Sequence, residues 1–218
     1  MTTAGAGAPG APARVVLASQ SPRRRDLLTL VGVAHEVRPA DVDESVRPGE
    51  APDAYVRRLA VDKARTVAGA LGDPAAAVLA ADTTVVIDGE ILGKPADAAE
   101  ARAMVRRLSG RAHEVYTGMA AVRGARAADA VERVRVTFRA LDDDEVAAYV
   151  ATGEPMDKAG AYAIQGYGAT IVERVDGDFF AVMGLSLVRV VALLRAVGVD
   201  YGFAAGAFAA GAGAAPAA

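Results

Sequence analysis

The sequence predicts a single α/β domain, and three observations lead to that prediction. The chain has 218 residues, which is the length of one medium domain or of two small lobes around a cleft. Its hydrophobic fraction is 53% and its aromatic fraction is 5%, without tryptophan, which indicates a core of Ala, Val and Leu. Short apolar runs typical of buried strands alternate with longer stretches in which apolar residues recur at helical spacing.

Local patterns predict each element in turn. The apolar run Val15–Ala18 predicts the first strand, and Ser21 followed by Pro22 is a typical helix start. The first helix is predicted to end at Gly32 and the second to run from Pro52 to Leu71. A strand over 78–81 is predicted to end at Asp82, with the chain continuing extended over 84–87 to a hairpin turn at Asp88-Gly89. The remaining predicted elements are a helix capped by Asp97 and ending at Gly110, strands over 113–122 and 131–138, a helix over 142–150, a strand over 169–175 and a last helix over 185–197.

The two ends of the chain differ in composition from the rest. Residues 1–13 are rich in Gly, Ala and Pro and lack the basic start and leucine-rich run of a signal peptide. Residues 201–218 are uncharged, but Gly and Ala make a poor membrane span. We therefore expect flexible tails around an ordered domain at 14–200 and, without an export or membrane signal, a cytoplasmic location.

Charge and rare residues exclude several classes of function. The formal net charge of -3 argues against a globally basic nucleic-acid binder. The absence of cysteine excludes disulfides, thiolate zinc sites and a cysteine nucleophile. With only two histidines, at 35 and 113, a histidine-rich metal site is also excluded.

A cluster of hydroxyl and guanidinium groups follows the first strand, in the sequence SQSPRRR at 19–25. Three arginines in the first turn of a helix oppose the helix dipole unless an anion lies in front of them. Guanidinium groups also bind phosphate through two parallel hydrogen bonds. The cluster therefore indicates a phosphate site, with a solvated helix face as the alternative.

Two carboxylate positions are candidates for chemistry. Asp82 follows a buried strand, where α/β folds bind ligands, and could hold a divalent metal or deprotonate a water. The acidic loop Asp41–Glu44 could coordinate Mg²⁺. The alternatives are a turn-forming aspartate and a solvated loop. The acidic run 142–145 has the pattern of a capping box, which we prefer to a metal cluster there.

Three further polar residues are candidates for contact with a ligand. Lys63 lies on the apolar stripe of the second predicted helix, so it either extends to solvent or meets an anion. Lys94 is a candidate phosphate contact, although its segment GEILGKP fails as a P-loop because only three residues separate the glycines and a proline follows the lysine. The Gln165 amide carries a donor and an acceptor suited to the edge of a base. A surface lysine and a simple glycine turn are the alternatives.

These segments together resemble the Maf family of nucleoside triphosphate pyrophosphatases. The segments that carry the resemblance are LASQSPRR at 17–24, DE at 43–44, LAVDKA at 59–64, ADT at 81–83, GKP at 93–95, YTG at 116–118, IQG at 164–166 and GL at 184–185. They occur in the order of the family and cover nearly all of 14–197.

The resemblance implies a fold and a reaction. The fold is an elongated mixed β-sheet flanked by helices, with two lobes around a cleft, as in inosine triphosphate pyrophosphatases. The reaction is hydrolysis of a nucleoside triphosphate between the α- and β-phosphates, with a divalent cation, Mg²⁺ or Mn²⁺. A Thr after the catalytic Asp and an Arg after the Pro resemble the branch that acts on dTTP and UTP, with modified pyrimidine nucleotides as further candidates. A homodimer is compatible with the family, and no nucleic-acid or membrane partner is expected.

The resemblance also implies a role for each site residue. Asp82 matches the proton acceptor and, with Glu44, a metal position; whether it acts as ligand, base or both stays open. The positions associated with substrate choice are Arg23, Thr83 and Gln165. The phosphate-side positions are Ser19, Ser21, Arg24, Lys63 and Lys94.

Two other functions stay open. One is a purine-directed pyrophosphatase for ITP or XTP on a similar fold, which a panel of substrates would distinguish. The other is a regulatory protein that binds a nucleotide tightly without hydrolysing it. Asp82, Lys94 and Arg23 argue against the second, because a pure binder has no need of a general base.

Overall fold

The computed structural model describes residues 13–203 and the backbone of 207–210, and within them the chain forms one large mixed sheet with helices packed on it. The strands are β1 (Val15–Leu17), β2 (His35–Val37), β3 (Ala77–Ile87), β4 (Glu90–Leu92), β5 (Ala112–Arg123), β6 (Arg126–Phe138), β7 (Val172–Asp176), β8 (Val199–Gly202) and β9 (Ala207–Ala210). The helices are α1 (Pro22–Leu30), α2 (Pro52–Leu71), α3 (Ala98–Leu108), α4 (Asp143–Ala151), α5 (Phe179–Val182) and α6 (Leu187–Ala196).

Seven strands build the large sheet, in the order β2-β1-β3-β5-β6-β7 with β4 paired to β3. The short strand β1 is parallel to both of its neighbours, whereas β3, β4, β5, β6 and β7 pair in antiparallel fashion. The predicted α/β class, with a mixed sheet flanked by helices, is confirmed.

Residues at the helix ends explain why three of the predicted helices form where they do. Helix α2 has Pro52 at its first position and ends at Gly72, whose φ of 62° is left-handed. The Asp97 side chain caps α3 by accepting from two backbone N–H groups. Asp142 and Glu145 form the expected capping box at the start of α4.

The core has two parts along the same face of the sheet, and they define two lobes. In the first lobe, β3 residues such as Leu79 pack with α1 and α6. In the second lobe, β3 residues such as Val85 pack with α3 and α4. Since side chains alternate along a strand, Val78 and Ala80 point to the opposite face, where they pack under α2. The cleft expected between two lobes lies where the two core parts meet on β3.

One expectation about Asp82 is wrong. It does not stand at the end of a strand, because β3 runs without interruption from Ala77 to Ile87. Its neighbour β1 ends at Leu17, opposite Leu79, but β5 on the other side stays paired as far as Val86. Asp82 therefore lies in the middle of β3, just beyond the end of β1.

Several boundaries also differ from the prediction. The short elements β2 and α5 were not expected, and β6 begins at Arg126, five residues before the predicted start. The strand expected from Ala169 begins at Val172, because 166–170 form a 3-10 turn. None of the helices in the described part of the chain has the length and apolar character that a membrane crossing requires.

The ordered structure continues past the boundary expected at residue 200. Strand β8 pairs with β9 as a hairpin, and the Tyr201 hydroxyl donates to the Val31 carbonyl over 3.0 Å. The domain boundary at residue 200 and the second tail stay predictions, and β8 runs across that boundary to Gly202. The remaining parts of the two predicted tails, 1–12, 204–206 and 211–218, lie outside the described residues.

Candidate active site

A cavity of about 680 Å³ opens between the two lobes, and all of the site residues predicted from the sequence line it. They come from seven places in the fold: the loop after β1, the start of α1, the loop before α2, α2 itself, the middle of β3, the loop after β4, and the loop before the 3-10 turn at 166–170. The residues are Ser19, Ser21, Arg23, Arg24, Glu44, Lys63, Asp82, Thr83, Lys94 and Gln165.

The floor of the cavity carries a three-membered ionic group. The Lys63 ammonium lies 2.7 Å from Oδ1 of Asp82 and 2.6 Å from Oε1 of Glu44. Lys63 and Asp82 are both buried, each with 8% of its surface exposed. Of the two readings of Lys63 on the apolar face of α2, contact with an anion is correct, and the anions are carboxylates of the protein. The ion pair neutralises and orients the buried Asp82.

A glycine on the neighbouring strand places Lys63 against Asp82. Gly118 is the partner of Asp82 in the β3–β5 register. The backbone of α2 rests on it so closely that a Cβ there would lie 2.2 Å from the Val56 carbonyl oxygen. Two turns further along the same helix, Lys63 projects to Asp82. The close approach of α2 to the sheet thus sets the depth of the ammonium group.

Glu44 is held by both its side chain and its backbone. Burial raises the pKa of Glu44, but the hydrogen bond from Lys63 and the charges of Lys63, Lys94 and Arg24 outweigh burial, so the net shift is downward. The Tyr55 hydroxyl donates to the Glu44 carbonyl over 2.9 Å. Burial, together with the charges of Asp82 and Glu44, raises the pKa of Tyr55 to about 12, so the phenol keeps its proton.

Arg24 connects three segments of the cavity wall. Its Nε donates to the Gly184 carbonyl over 2.8 Å, Nη1 donates to Ser19 Oγ over 3.1 Å, and Nη2 donates to Thr83 Oγ1 over 3.0 Å. Burial lowers the pKa of Arg24, which the charge of Asp82 partly offsets, and the guanidinium stays protonated. Ser21 stands at the N-cap of α1 as expected, but its side chain makes no capping bond.

The hydroxyl of Thr83 has a fixed orientation. The buried Thr117 donates its only hydroxyl hydrogen to the Ala181 carbonyl over 2.8 Å. Thr83 and Thr117 lie 3.0 Å apart through their Oγ1 atoms, so Thr83 is the donor of that bond. Since Thr83 also accepts from Arg24, only its remaining lone pair is available, and it can act toward a ligand only as an acceptor.

The three arginines of the α1 start face different surroundings. Arg23 lines the cavity and lies 3.9 Å from Asp157, while Arg24 turns inward as described. Arg25 is exposed and pairs with its neighbour Asp26. Arg25 thus fits the solvated-face alternative, and the phosphate site stays a prediction for Arg23 and Arg24. Lys94 is exposed at the rim of the cavity.

Two functional candidates were missed by the sequence reasoning. Lys158 lines the cavity, and its Nζ donates to the Glu154 carbonyl over 2.6 Å. Tyr55 lines it near Glu44. The spacing of Tyr55 and Lys63 by eight residues, about two helical turns, is a signal that could have identified Tyr55. Lys158 lies in an irregular segment without any comparable pattern.

The carboxylates fit a divalent metal only in part. Within the described residues, no group of three or more His, Asp or Glu side chains could hold a metal ion. Glu44 and Asp82 do converge on Lys63, which contacts one oxygen of each and leaves the second oxygen of each. Hard divalent cations such as Mg²⁺ commonly use one or two carboxylates together with phosphate oxygens of the substrate. The donor set fits a metal that binds with a phosphate ligand.

Comparison with known proteins identifies the family. The model of the Maf family, described as Maf-like protein, matches residues 14–197. The chain belongs to the Maf family. This Maf protein is 56% identical over 189 residues to the dTTP/UTP pyrophosphatase of Anaeromyxobacter dehalogenans strain 2CP-1, an alignment that covers 85% of this chain and 94% of the relative.

Other relatives are similar over the same part of the chain. The dTTP/UTP pyrophosphatase of Moorella thermoacetica is 52% identical, with 86% of this chain and 96% of the relative covered. Among solved structures, the Ham1 protein of Staphylococcus aureus matches with a TM-score of 0.42 and 15% identity, covering 57% of this chain and 71% of that one.

Proposed function

We propose that this Maf protein hydrolyses dTTP and UTP to the nucleoside monophosphate and pyrophosphate, with modified pyrimidine nucleotides as further candidate substrates. The names of its close relatives support this substrate class. The observation that carries the proposal is the cavity between the lobes, in which the buried carboxylate Asp82 lies together with several cations and hydroxyl groups.

The cations suit the phosphate chain of a triphosphate. Arg23 and Lys94 lie in the cavity wall, and Lys158, which is paired with Asp157, also lines it. Arg24 uses three of its five N–H donors on the protein and keeps two. Ser19 and Ser21 line the same wall, at the N-terminus of α1, where backbone N–H groups favour an anion.

In the proposed reaction, a water attacks the α-phosphorus. The new P–O bond forms as the bond from the α-phosphorus to the bridging oxygen breaks, and pyrophosphate leaves with that oxygen and its electron pair. Asp82 accepts the proton of the water. Lys63 fixes Oδ1 of Asp82, so the other oxygen is the one that can face the water. A positioned general base contributes about 10²–10⁴-fold to the rate.

Glu44 is the residue that would hold a divalent cation, Mg²⁺ or Mn²⁺, and Asp82 would share it in the alternative in which Asp82 serves as a metal ligand instead of as the base. When bound together with the triphosphate, the cation supplies charge neutralisation at the phosphate oxygens. Glu44 is suited to this role because its net pKa shift is downward, which keeps it ionised at neutral pH.

Two groups can read a pyrimidine base. Gln165 offers an amide N–H and a carbonyl, which can match part of the acceptor-donor-acceptor edge of uracil or thymine. Thr83 can only accept, so it favours a donor such as the N–H of that edge. A site that depends on such hydrogen bonds discriminates strongly against bases that cannot make them. The cytoplasmic location and the homodimer stay predictions beside this proposal.

A panel of nucleotides tests the proposed substrate. Pyrophosphate release is measured from dTTP, UTP, CTP, dATP, GTP and ITP, first with Mg²⁺ and then with Mn²⁺. We expect selective turnover of dTTP and UTP. Turnover of purine nucleotides instead would keep the reaction and contradict the base assignment. Tight binding of a nucleotide without turnover would favour the regulatory alternative.

The catalytic assignment is tested by Asp82→Asn. The amide cannot accept a proton, so we expect kcat to fall by about 10²–10⁴-fold while Lys63 keeps Glu44 as its ionic partner. The matched control is Asp88→Asn, in the turn after β3 and outside the cavity. Asn tolerates the positive φ of 54° at that position, and this variant should keep the wild-type rate. Wild-type turnover by a correctly folded Asp82→Asn protein would contradict the assignment.

A further inference from the structure

The loop that carries Gln165 is held by one carboxylate that lies behind it. Glu154 is not among the described residues that line the cavity. Its Oε2 accepts from the backbone N–H of Tyr167 over 2.9 Å, and its Oε1 accepts from the backbone N–H of Gly168 over 2.9 Å. One side chain thus binds two successive backbone donors just after Gln165.

The same carboxylate reaches the other side of Gln165 through a tyrosine. The hydroxyl of the buried Tyr149 donates to Oε1 of Glu154 over 2.9 Å. That hydroxyl also accepts from the backbone N–H of Ala163 over 3.1 Å. Because an ionised carboxylate has no hydrogen to give, the direction of both bonds is fixed. Glu154 therefore fixes the chain at 163 and at 167–168, and Gln165 lies between these points.

Two glycines make this arrangement possible. A Cβ at Gly166 would lie 2.2 Å from Oε2 of Glu154, and the φ of Gly166 is +67°. A Cβ at Gly168 would lie 1.9 Å from the Ala163 carbonyl oxygen and 2.9 Å from the Tyr149 hydroxyl. Both glycines are thus required by the contacts that close this loop.

We propose that Glu154 is a positioning residue for base recognition: through Tyr149 and the backbone at 167–168 it sets where Gln165 presents its amide. The inference rests on the proposed function, in which Gln165 contacts the base. Gln165 is exposed and belongs to a loop, so its amide can be placed consistently only if the backbone around it is fixed. Glu154 supplies that constraint from outside the cavity.

The test compares Glu154→Gln with Gln165→Ala. Glu154→Gln is isosteric and keeps the main-chain carbonyl that Lys158 binds, but its amide replaces one acceptor by a donor. Steady-state kinetics with UTP and CTP give kcat and KM separately. For both variants we expect the ratio of kcat/KM for UTP over CTP to fall about tenfold. Gln165→Ala removes the amide that contacts the base, and Glu154→Gln weakens the charge-assisted hydrogen bonds that hold the Gln165 loop. The loss should lie mainly in the KM for UTP, and the double variant should lose no more than Gln165→Ala alone.

The matched control is Glu145→Gln, which alters a glutamate that also accepts from backbone, in the capping box of α4. It should leave the UTP/CTP ratio unchanged, because the capping box of α4 does not hold the Gln165 loop. If Glu154→Gln does not fold, Tyr149→Phe removes the link to Ala163 and should lower the ratio as well.

The possible failures can be told apart. An unchanged ratio in folded Glu154→Gln or Tyr149→Phe, with a changed ratio in Gln165→Ala, would overturn the role of Glu154 and leave the proposed function intact. An unchanged ratio in Gln165→Ala would overturn base recognition by Gln165, and the role of Glu154 with it.

Discussion

Arg24 and Lys63 are cations in the cavity, yet groups of the protein already hold both of them. Arg24 donates to Ser19, Thr83 and the Gly184 carbonyl, and Lys63 lies between two carboxylates. Their positions are therefore set before any ligand arrives. Catalytic groups fixed in this way need little reorganisation during the reaction, which is how preorganised sites lower a barrier.

The second histidine of the chain, His113, is buried in the core. His113 is 3% exposed, and its Nε2 lies 2.9 Å from the hydroxyl of Tyr162, a cavity residue. Its Nδ1 is buried without a hydrogen-bond partner among the described residues. Protonation would place an unsatisfied N–H in the core, and burial lowers the pKa of His113 to about 4.

His113 should make the protein sensitive to acid. In the unfolded chain its pKa is 6.5, so between pH 6.5 and about 4 the unfolded state binds more protons, and stability falls as the pH falls through this window. The full effect of this group is about 3 kcal/mol. His113→Gln cannot titrate, so its unfolding free energy, measured by urea titration at several pH values, should fall less across the window. Parallel curves for the two proteins would contradict this.

At the level of single residues, the sequence identified the site residues that belong to a motif. It did not identify the residues that orient them. The predicted site residues line one cavity. Glu154 was not identified, because a lone glutamate after a helix has many ordinary roles and its partners at 163–168 become neighbours only in the fold. The fixed orientation of the Thr83 hydroxyl likewise depends on Thr117, from another strand.

Among the secondary-structure elements, the packing of α2 on β5 is the contact on which the site most depends. A Cβ at Gly118 would meet backbone atoms of α2, which cannot rotate away as a side chain can. Gly118→Ala should therefore displace α2, destabilise the fold by about 1–3 kcal/mol and lower kcat, because Lys63 moves with the helix. Chemical denaturation and steady-state kinetics measure the two effects.

The control for this variant is a glycine on α2 itself. Gly69 has nothing within 4 Å of an added Cβ. Gly69→Ala should raise stability by about 0.5–1 kcal/mol, because Ala favours the helix, and leave kcat unchanged. Equal stability of Gly118→Ala and the wild type would show that the packing of α2 on β5 does not require a glycine at position 118.

Elements with strong end signals were predicted closely, and short ones were not. The predicted bounds of α2, from Pro52 to Leu71, agree with the structure, as do the caps of α3 and α4. Strand β2 and helix α5 have three and four residues, too few for any periodicity. The continuation of β3 through Asp82 was missed because the polar sequence Asp82–Thr84 interrupts the apolar run, although β5 supports it on one side.

At the scale of the whole molecule, truncation before the C-terminal hairpin of β8 and β9 tests where the stable fold ends. The family match ends at residue 197, yet Val199 is fully buried in the core of the first lobe. A chain that ends at Gly198 should lose about 2–4 kcal/mol of unfolding free energy, from the burial of Val199 and the bond between Tyr201 and Val31.

The comparison chain ends at Ala210 and keeps both strands of the hairpin. The chain that ends at Gly198 should unfold at a lower urea concentration than the chain that ends at Ala210. Equal urea midpoints for the two chains would contradict a role of the hairpin in stability.

The class of the fold could be predicted from alternating patterns alone, but its shape could not. Two lobes and a mixed sheet followed from the resemblance, since periodicity does not determine which strands become neighbours. The pairing of β1 with β3 joins residues 62 positions apart, such as Val15 and Ala77, and no local sequence pattern indicates that pairing.

The unbroken course of β3 has a mechanical consequence. One strand supplies Leu79 to the first lobe and Val85 to the second, and β5 runs beside it through both. The two lobes are therefore joined by a continuous pair of strands and not by a loop at this point. A change in the width of the cleft would require these paired strands to bend or twist together, whereas a loop could change by rotation about a few backbone bonds.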